Sequence, residues 1–166
     1  MRTLIVMRHA KSDYPPGVPD ADRPLSPRGV RDASAARDWL RAACPRIDVV
    51  KVSPAVRAQQ TLDLISPGLV LGAVDTDSRI YLDWGEQLPA VVAELDPAAR
   101  TALIVGHNPG IEDYAMSMCR DRDAPACVRL SAKYPTAGIG VVAFPRAWAD
   151  QSSAELVVFA VPRATA

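Results

Sequence analysis

At 166 residues, 49% of them apolar, the chain is long enough to bury the core of one domain spanning residues 1–166. Nineteen basic side chains cancel nineteen acidic ones, so no overall field draws it to nucleic acid or to an anionic membrane. No apolar run approaches the roughly 18 residues of a membrane span, and the N-terminal run is too short for a signal-peptide core. The three cysteines, Cys44, Cys119 and Cys127, show no C-x-x-C spacing and read as reduced thiols of a cytoplasmic protein.

The first element is TLIVM (3–7), a continuous β-branched run that suits a strand covered on both faces. It ends abruptly in Arg8 and His9, and the polar segment KSDYPPGVPDADRP (11–24) follows. Its prolines and glycine make it a loop, and a loop this long inside a compact domain is usually functional. A helix is predicted over 26–43, with Ser26 as N-cap, Pro27 at N1 and Pro45 as its stop. VVKVS (49–53) is the second strand, and Ser53-Pro54 opens a helix over 53–65. LVLGAV (69–74) is a weaker strand candidate, and WGEQLPAVVAEL (84–95) carries a helical pattern with Pro89 in its first turn. TALIVG (101–106) is a strand, followed by a helix over 108–119 capped by Asn108 with Pro109 at N1. GIGVVAF (138–144) and ELVVFAV (155–161) close the chain as strands. Alternating strands and helices predict an α/β fold of three layers, α/β/α, around a mostly parallel sheet. The last two strands have only about ten residues between them, too few for a crossover helix, so one edge is expected to be antiparallel.

Three strand ends carry the polar chemistry: Arg8-His9, Ser53-Pro-Ala-Val-Arg57, and Gly106-His107-Asn108-Pro109. In a parallel sheet all three lie on one edge, where α/β proteins bind ligands. The pocket then holds two arginines, both histidines of the chain and two helix N-termini. Arg57 falls in the first turn of its helix, where the macrodipole disfavours a cation by a few tenths of a kcal/mol unless an anion is bound beside it. Arginine adds a planar bidentate donor for phosphate oxygens. A metal site does not fit, because the histidines lack a carboxylate cluster and arginines repel cations. No G-x-S-x-G serine or cysteine-phosphatase loop is present. Histidine itself is a nucleophile toward phosphorus when neutral, and neighbouring arginines favour the neutral form.

Four motifs, MRHAKSD (7–13), DADRPLSPRG (20–29), VSPAVRAQQT (52–61) and VGHNPG (105–110), occur in this order in a short chain. Together they resemble the histidine phosphatase superfamily, the phosphoglycerate-mutase-like fold, and within it the small SixA-like phosphohistidine phosphatases. The resemblance implies a phosphatase that uses no cofactor and no metal. It implies that His9 becomes phosphorylated and that Arg8, Arg57 and His107 complete the phosphate pocket, with Asn108 as a further binding residue. Its substrate would be a phosphorylated protein or a small phosphoester. The alternatives are a phosphotransferase or mutase on the same pocket, and a non-catalytic phosphate-binding module. Mutase-like members carry a proton-donating glutamate where RIYLDWGEQL (79–88) places Tyr81. Asp13, Asp83 and Glu86 are the nearby carboxylates, and none is assignable as the acid. Glu86 reads as a helix N-terminal charge, and Asp22 and Arg23 as residues that fix the first loop.

Overall fold

The computed structural model describes residues 1–81 and 86–165. Six strands form one sheet: β1 (Arg2–Arg8), β2 (Arg46–Val52), β3 (Val70–Thr76), β4 (Thr101–Gly106), β5 (Ile139–Phe144) and β6 (Glu155–Ala160). Their order across the sheet is β3-β2-β4-β1-β5-β6. The first four run parallel. β5 pairs antiparallel with both β1 and β6, so the single reversed strand lies one place in from the edge. This is the mixed edge expected from the short β5–β6 connection.

Alternation along β1 divides the core in two. Leu4 and Val6 point to one face with Ala102 and Ile104 of β4, where α3 (Leu88–Ala93), α4 (Gly110–Ser117) and α5 (Pro125–Ala132) cover them through Val91, Val92, Ile111, Tyr114 and Leu130. Ile5 and Met7 point to the other face with Leu103 and Val105, under α1 (Pro27–Ala43) and α2 (Val56–Ile65), which supply Ala33, Ala36, Leu40, Ala58 and Leu62. The three-layer arrangement is therefore built from period-2 strands between helices whose small and branched residues face inward. The expectation of burial on both faces fails at the two edge strands: Val157 and Val158 of β6 are exposed, and β3 is exposed along most of its length, Val70 and Val74 included.

Helix starts show where local rules held and where the site overrode them. Ser26 caps α1 by accepting from the Gly29 amide at 3.0 Å, with Pro27 at N1, and Ser26→Ala should cost about 1 kcal/mol. α2 begins at Val56, three residues later than Ser53 predicts, because the Ser53 hydroxyl is used elsewhere. α4 begins at Gly110, after a cis Asn108–Pro109 peptide, and Asn108 does not cap it. α5 was not anticipated. Cys119 and Cys127, expected to be reduced, are joined as a disulfide linking the end of α4 to α5; their Cα atoms lie 5.8 Å apart, within normal bridging range. Cys44 is free. Among the described residues no helix is long and apolar enough to cross a membrane.

Candidate active site

The β1–β4 register sets the first half of the site. Arg8 lies opposite Gly106, so His9 and His107 emerge side by side from two adjacent parallel strands. Their ring centroids are 5.0 Å apart. The chain leaves β1 for α1 on one face of the sheet and leaves β4 for α4 on the other, which opens a crevice at the carboxyl ends of these strands. β2, on the far side of β4, brings Ser53 up beside His107, and the Ser53 amide bonds Val105 O at 3.1 Å.

His9 is held on every side. Its amide donates to Gly106 O at 2.9 Å, and its carbonyl accepts from the Ala137 amide at 3.0 Å. Ala137 adopts φ 59°, a left-handed conformation that costs a non-glycine residue about 1 kcal/mol and lets one amide serve both Arg8 O and His9 O. The next amide, Ala10, donates to Thr61 Oγ1 at 3.0 Å, and that hydroxyl donates to Arg57 O on the same helix. The His9 corner is thereby tied to the helix that carries Arg57. The imidazole Nδ1 lies 2.7 Å from Ala10 O, which assigns the proton to Nδ1. Nε2 is left with its lone pair, and Arg57 Nε donates to it at 3.3 Å.

The four residues expected at the phosphate site come together. Arg8, His9, Arg57 and His107, with Asn108, line one cavity of about 160 Å³, alongside Lys11, Ser12, Tyr14, Arg23 and Thr136. Arg8 Nη1 donates to Tyr134 O at 2.9 Å, while its buried Nε has no partner. Ser53 Oγ accepts from the Ala55 amide and lies 2.7 Å from His107 Nε2, so its hydroxyl is free to donate to the ring. In the tautomer that accepts from this hydroxyl, His107 Nδ1 carries the hydrogen, and that nitrogen too is buried without a partner. Two buried donors beside a cationic cavity are what an oxyanion would satisfy. Asn108 lines the cavity with its amide nitrogen already committed, donating to Glu112 Oε2 at 3.0 Å and Tyr134 O at 3.1 Å, while its buried Oδ1 has no partner.

Electrostatics keep both imidazoles neutral. Burial, then His107, Arg57 and Arg8, hold His9 well below its ordinary value, outweighing the Ala10 hydrogen bond that favours the cation. Burial and then Arg57 pull His107 down to about 4. Arg8 is lowered chiefly by burial, but a guanidinium stays charged in proteins.

Of the candidate acids, Asp83 lies outside the described residues. Asp13 and Glu86 are exposed and do not line the cavity. Among the described residues the carboxylate that does reach the site is Asp20, which the sequence reading passed over. Its Oδ2 accepts from Tyr81 Oη at 2.5 Å and from Arg57 Nη2 at 3.2 Å, and its backbone carbonyl accepts from Arg57 Nη1 at 2.7 Å. The Tyr81 hydrogen bond, ahead of Arg23 and Arg57, lowers Asp20 to about 2, so it is an ionised acceptor rather than a proton donor. Arg23 fixes the loop as expected, through Ser12 Oγ at 2.7 Å and Asp20 Oδ1 at 3.1 Å, and it also lines the cavity. The loop crosses close to α1. At Gly29 a Cβ would collide with the Lys11 carbonyl, so only glycine allows this approach.

The profile of the histidine phosphatase superfamily, branch 1, matches residues 4–143. An uncharacterized protein of Mycobacterium tuberculosis is 40% identical over 166 residues, covering 95% of this chain and 100% of its own length. An uncharacterized protein of Mycobacterium leprae is 39% identical over 164 residues. A solved structure from Nakamurella multipartitia, named as a phosphohistidine phosphatase SixA, superposes with TM-score 0.86 at 34% identity, covering 97% of this chain and 96% of that one. A protein histidine phosphatase SixA complexed with tungstate shares the fold at TM-score 0.78 and 21% identity, over 96% of this chain and 97% of that one. Profile, relatives and fold agree over nearly the whole chain, which belongs to the histidine phosphatase superfamily, branch 1.

Proposed function

We propose that this histidine phosphatase works through a covalent phosphohistidine on His9 and needs no metal ion. The observation that carries this reading is the neutral His9 ring. Nδ1 is committed to Ala10 O, and the Nε2 lone pair faces the cationic cavity, where Arg57 Nε donates to it at 3.3 Å, a contact that attack on phosphorus would replace. In the first step Nε2 attacks phosphorus and the bond from phosphorus to the leaving oxygen or nitrogen breaks. In the second, water attacks the phosphohistidine, the Nε2–phosphorus bond breaks and inorganic phosphate leaves. Arg8, Arg57 and the Nδ1–H of His107 are suited to bind the equatorial oxygens, where charge gathers in the transition state. These donors would do the electrostatic work that a divalent cation does elsewhere. Among the described residues no group of three His, Cys, Asp or Glu is arranged to hold one.

The substrate class we favour is phosphohistidine on proteins, with activated small phosphoesters as secondary substrates. The SixA proteins above bear that name, and one of them is complexed with an oxyanion. Among the described residues no carboxylate lines the cavity to protonate a poor leaving group, and an imidazole can leave after taking a proton from solvent. Hydrolysis of p-nitrophenyl phosphate and of a phosphohistidine peptide, each lost in His9→Ala, would support the proposal. Turnover of neither would defeat it.

A further inference from the structure

Among the described residues that line the cavity four are basic, Arg8, Lys11, Arg23 and Arg57, and none is acidic. Asp20 stands just outside and touches two of the four. Its Oδ1 takes Arg23 Nε at 3.1 Å, its Oδ2 takes Arg57 Nη2 at 3.2 Å, and its carbonyl takes Arg57 Nη1 at 2.7 Å. The guanidinium of Arg57 is therefore gripped along its Nη edge, while its Nε points at the nucleophile His9. The Arg57 side chain is 6% exposed and that of Asp20 is 51% exposed, so the buried partner is oriented by the outer one. Asp20 is in turn oriented by Tyr81 Oη at 2.5 Å, a residue 61 positions away whose ring stands edge-on to His107 at a centroid distance of 5.5 Å.

We propose that Asp20 is a positioning residue for phosphoryl transfer, acting through Arg57, and that the Tyr81 hydroxyl acts through Asp20. This rests on the phosphatase reading above. Phosphoryl transfer depends on the placement of donors around the equatorial oxygens, and small misplacement of such a group can cost about a hundredfold in rate. Asp20 is also an anion beside an anion site, so it cannot itself favour phosphate binding. The two roles separate kcat from affinity. Loss of Asp20 should loosen Arg57 and slow the chemistry, yet leave phosphate binding intact or tighter, because a repelling charge has gone. A residue that only maintains the shape of the pocket would weaken both together.

The test uses the full chain with p-nitrophenyl phosphate as substrate and inorganic phosphate as competitive inhibitor. Asp20→Ala should lower kcat by about ten- to a hundredfold, with the Ki for phosphate unchanged or lower. The backbone contact to Arg57 survives that substitution, so the loss is partial. Tyr81→Phe should lower kcat less, by about three- to tenfold, again without weakening phosphate. The double variant should be no slower than Asp20→Ala, because the two share one route to Arg57. Asp20→Asn keeps an acceptor oxygen and should fall between wild type and Asp20→Ala. Wild-type kcat in Asp20→Ala, a Ki that rises in step with the loss of kcat, or multiplying losses in the double variant would overturn the proposal. If Asp20→Ala does not fold, Tyr81→Phe decides alone: a lower kcat at constant Ki upholds it, and an unchanged kcat overturns it. Turnover that needs His9 but ignores Asp20 overturns this proposal only. Turnover that persists in His9→Ala overturns the nucleophile reading and this proposal with it.

Discussion

Acid should destabilise this protein well before its carboxylates are protonated, and His107 is the reason. Burial and the Arg57 guanidinium hold its folded value at about 4, against an ordinary value of 6.5. Between those limits the unfolded chain binds a proton that the folded chain refuses. Folding stability is therefore complete above pH 6.5 and is lost as the pH falls toward 4. At about 1.4 kcal/mol per pH unit, the full window amounts to about 3 kcal/mol from this one residue. His9, lowered for the same reasons, adds in the same direction. Asp20 does not confuse the measurement, since its value of about 2 places its own loss of stability below pH 4. The assay is urea unfolding of wild type and His107→Gln at pH 7 and pH 4.5. Wild type should lose about 2 to 3 kcal/mol more than the variant over this interval, whatever their difference at pH 7. Equal losses in the two proteins, or a wild type whose stability is flat from pH 7 to 4.5, would refute the electrostatic description of the site.

Three further outcomes follow from the same geometry. Activity should survive EDTA and be inhibited competitively by vanadate or phosphate; loss in EDTA that a divalent ion restores would contradict the metal-free reading. Arg57→Ala should lower kcat/KM by about 10²–10³-fold, with Arg57→Lys recovering only part, because lysine supplies charge without the fork that spans Asp20 and His9; full rescue by lysine would reduce the role to charge alone. Phosphohistidine and aryl phosphates should be cleaved faster than alkyl phosphates such as glycerol phosphate, by about the 10²–10⁴-fold that general acid catalysis is worth. Equal rates, with an Asp13, Asp83 or Glu86 alanine variant losing only the alkyl activity, would show that a proton donor exists.

What the sequence made legible was what short-range chemistry determines. β1, β2, β4, β5 and β6 stood out as β-branched runs, and α1 announced itself through Ser26 and Pro27. The convergence of His9, Arg57 and His107 followed from parallel strands ending on one edge. Helix starts near the site were misplaced because their capping side chains have other partners. Ser53 serves His107, and Asn108 serves Glu112 and Tyr134 O. α5 is only eight residues long and has no capping side chain to mark its start. The Asp20–Tyr81 bond spans 61 positions and leaves no local pattern. The disulfide joins cysteines eight positions apart, a spacing with no motif behind it, and their pairing depends on how α4 and α5 pack.

The most direct measurement is to trap the intermediate. Wild type quenched during turnover of p-nitrophenyl phosphate, kept at alkaline pH where phosphohistidine survives, and digested for mass spectrometry should carry one phosphoryl group on His9. His9→Ala should carry none and turn over no substrate. A phosphoryl group on His107 or on any other residue would contradict the account, as would steady turnover by folded His9→Ala.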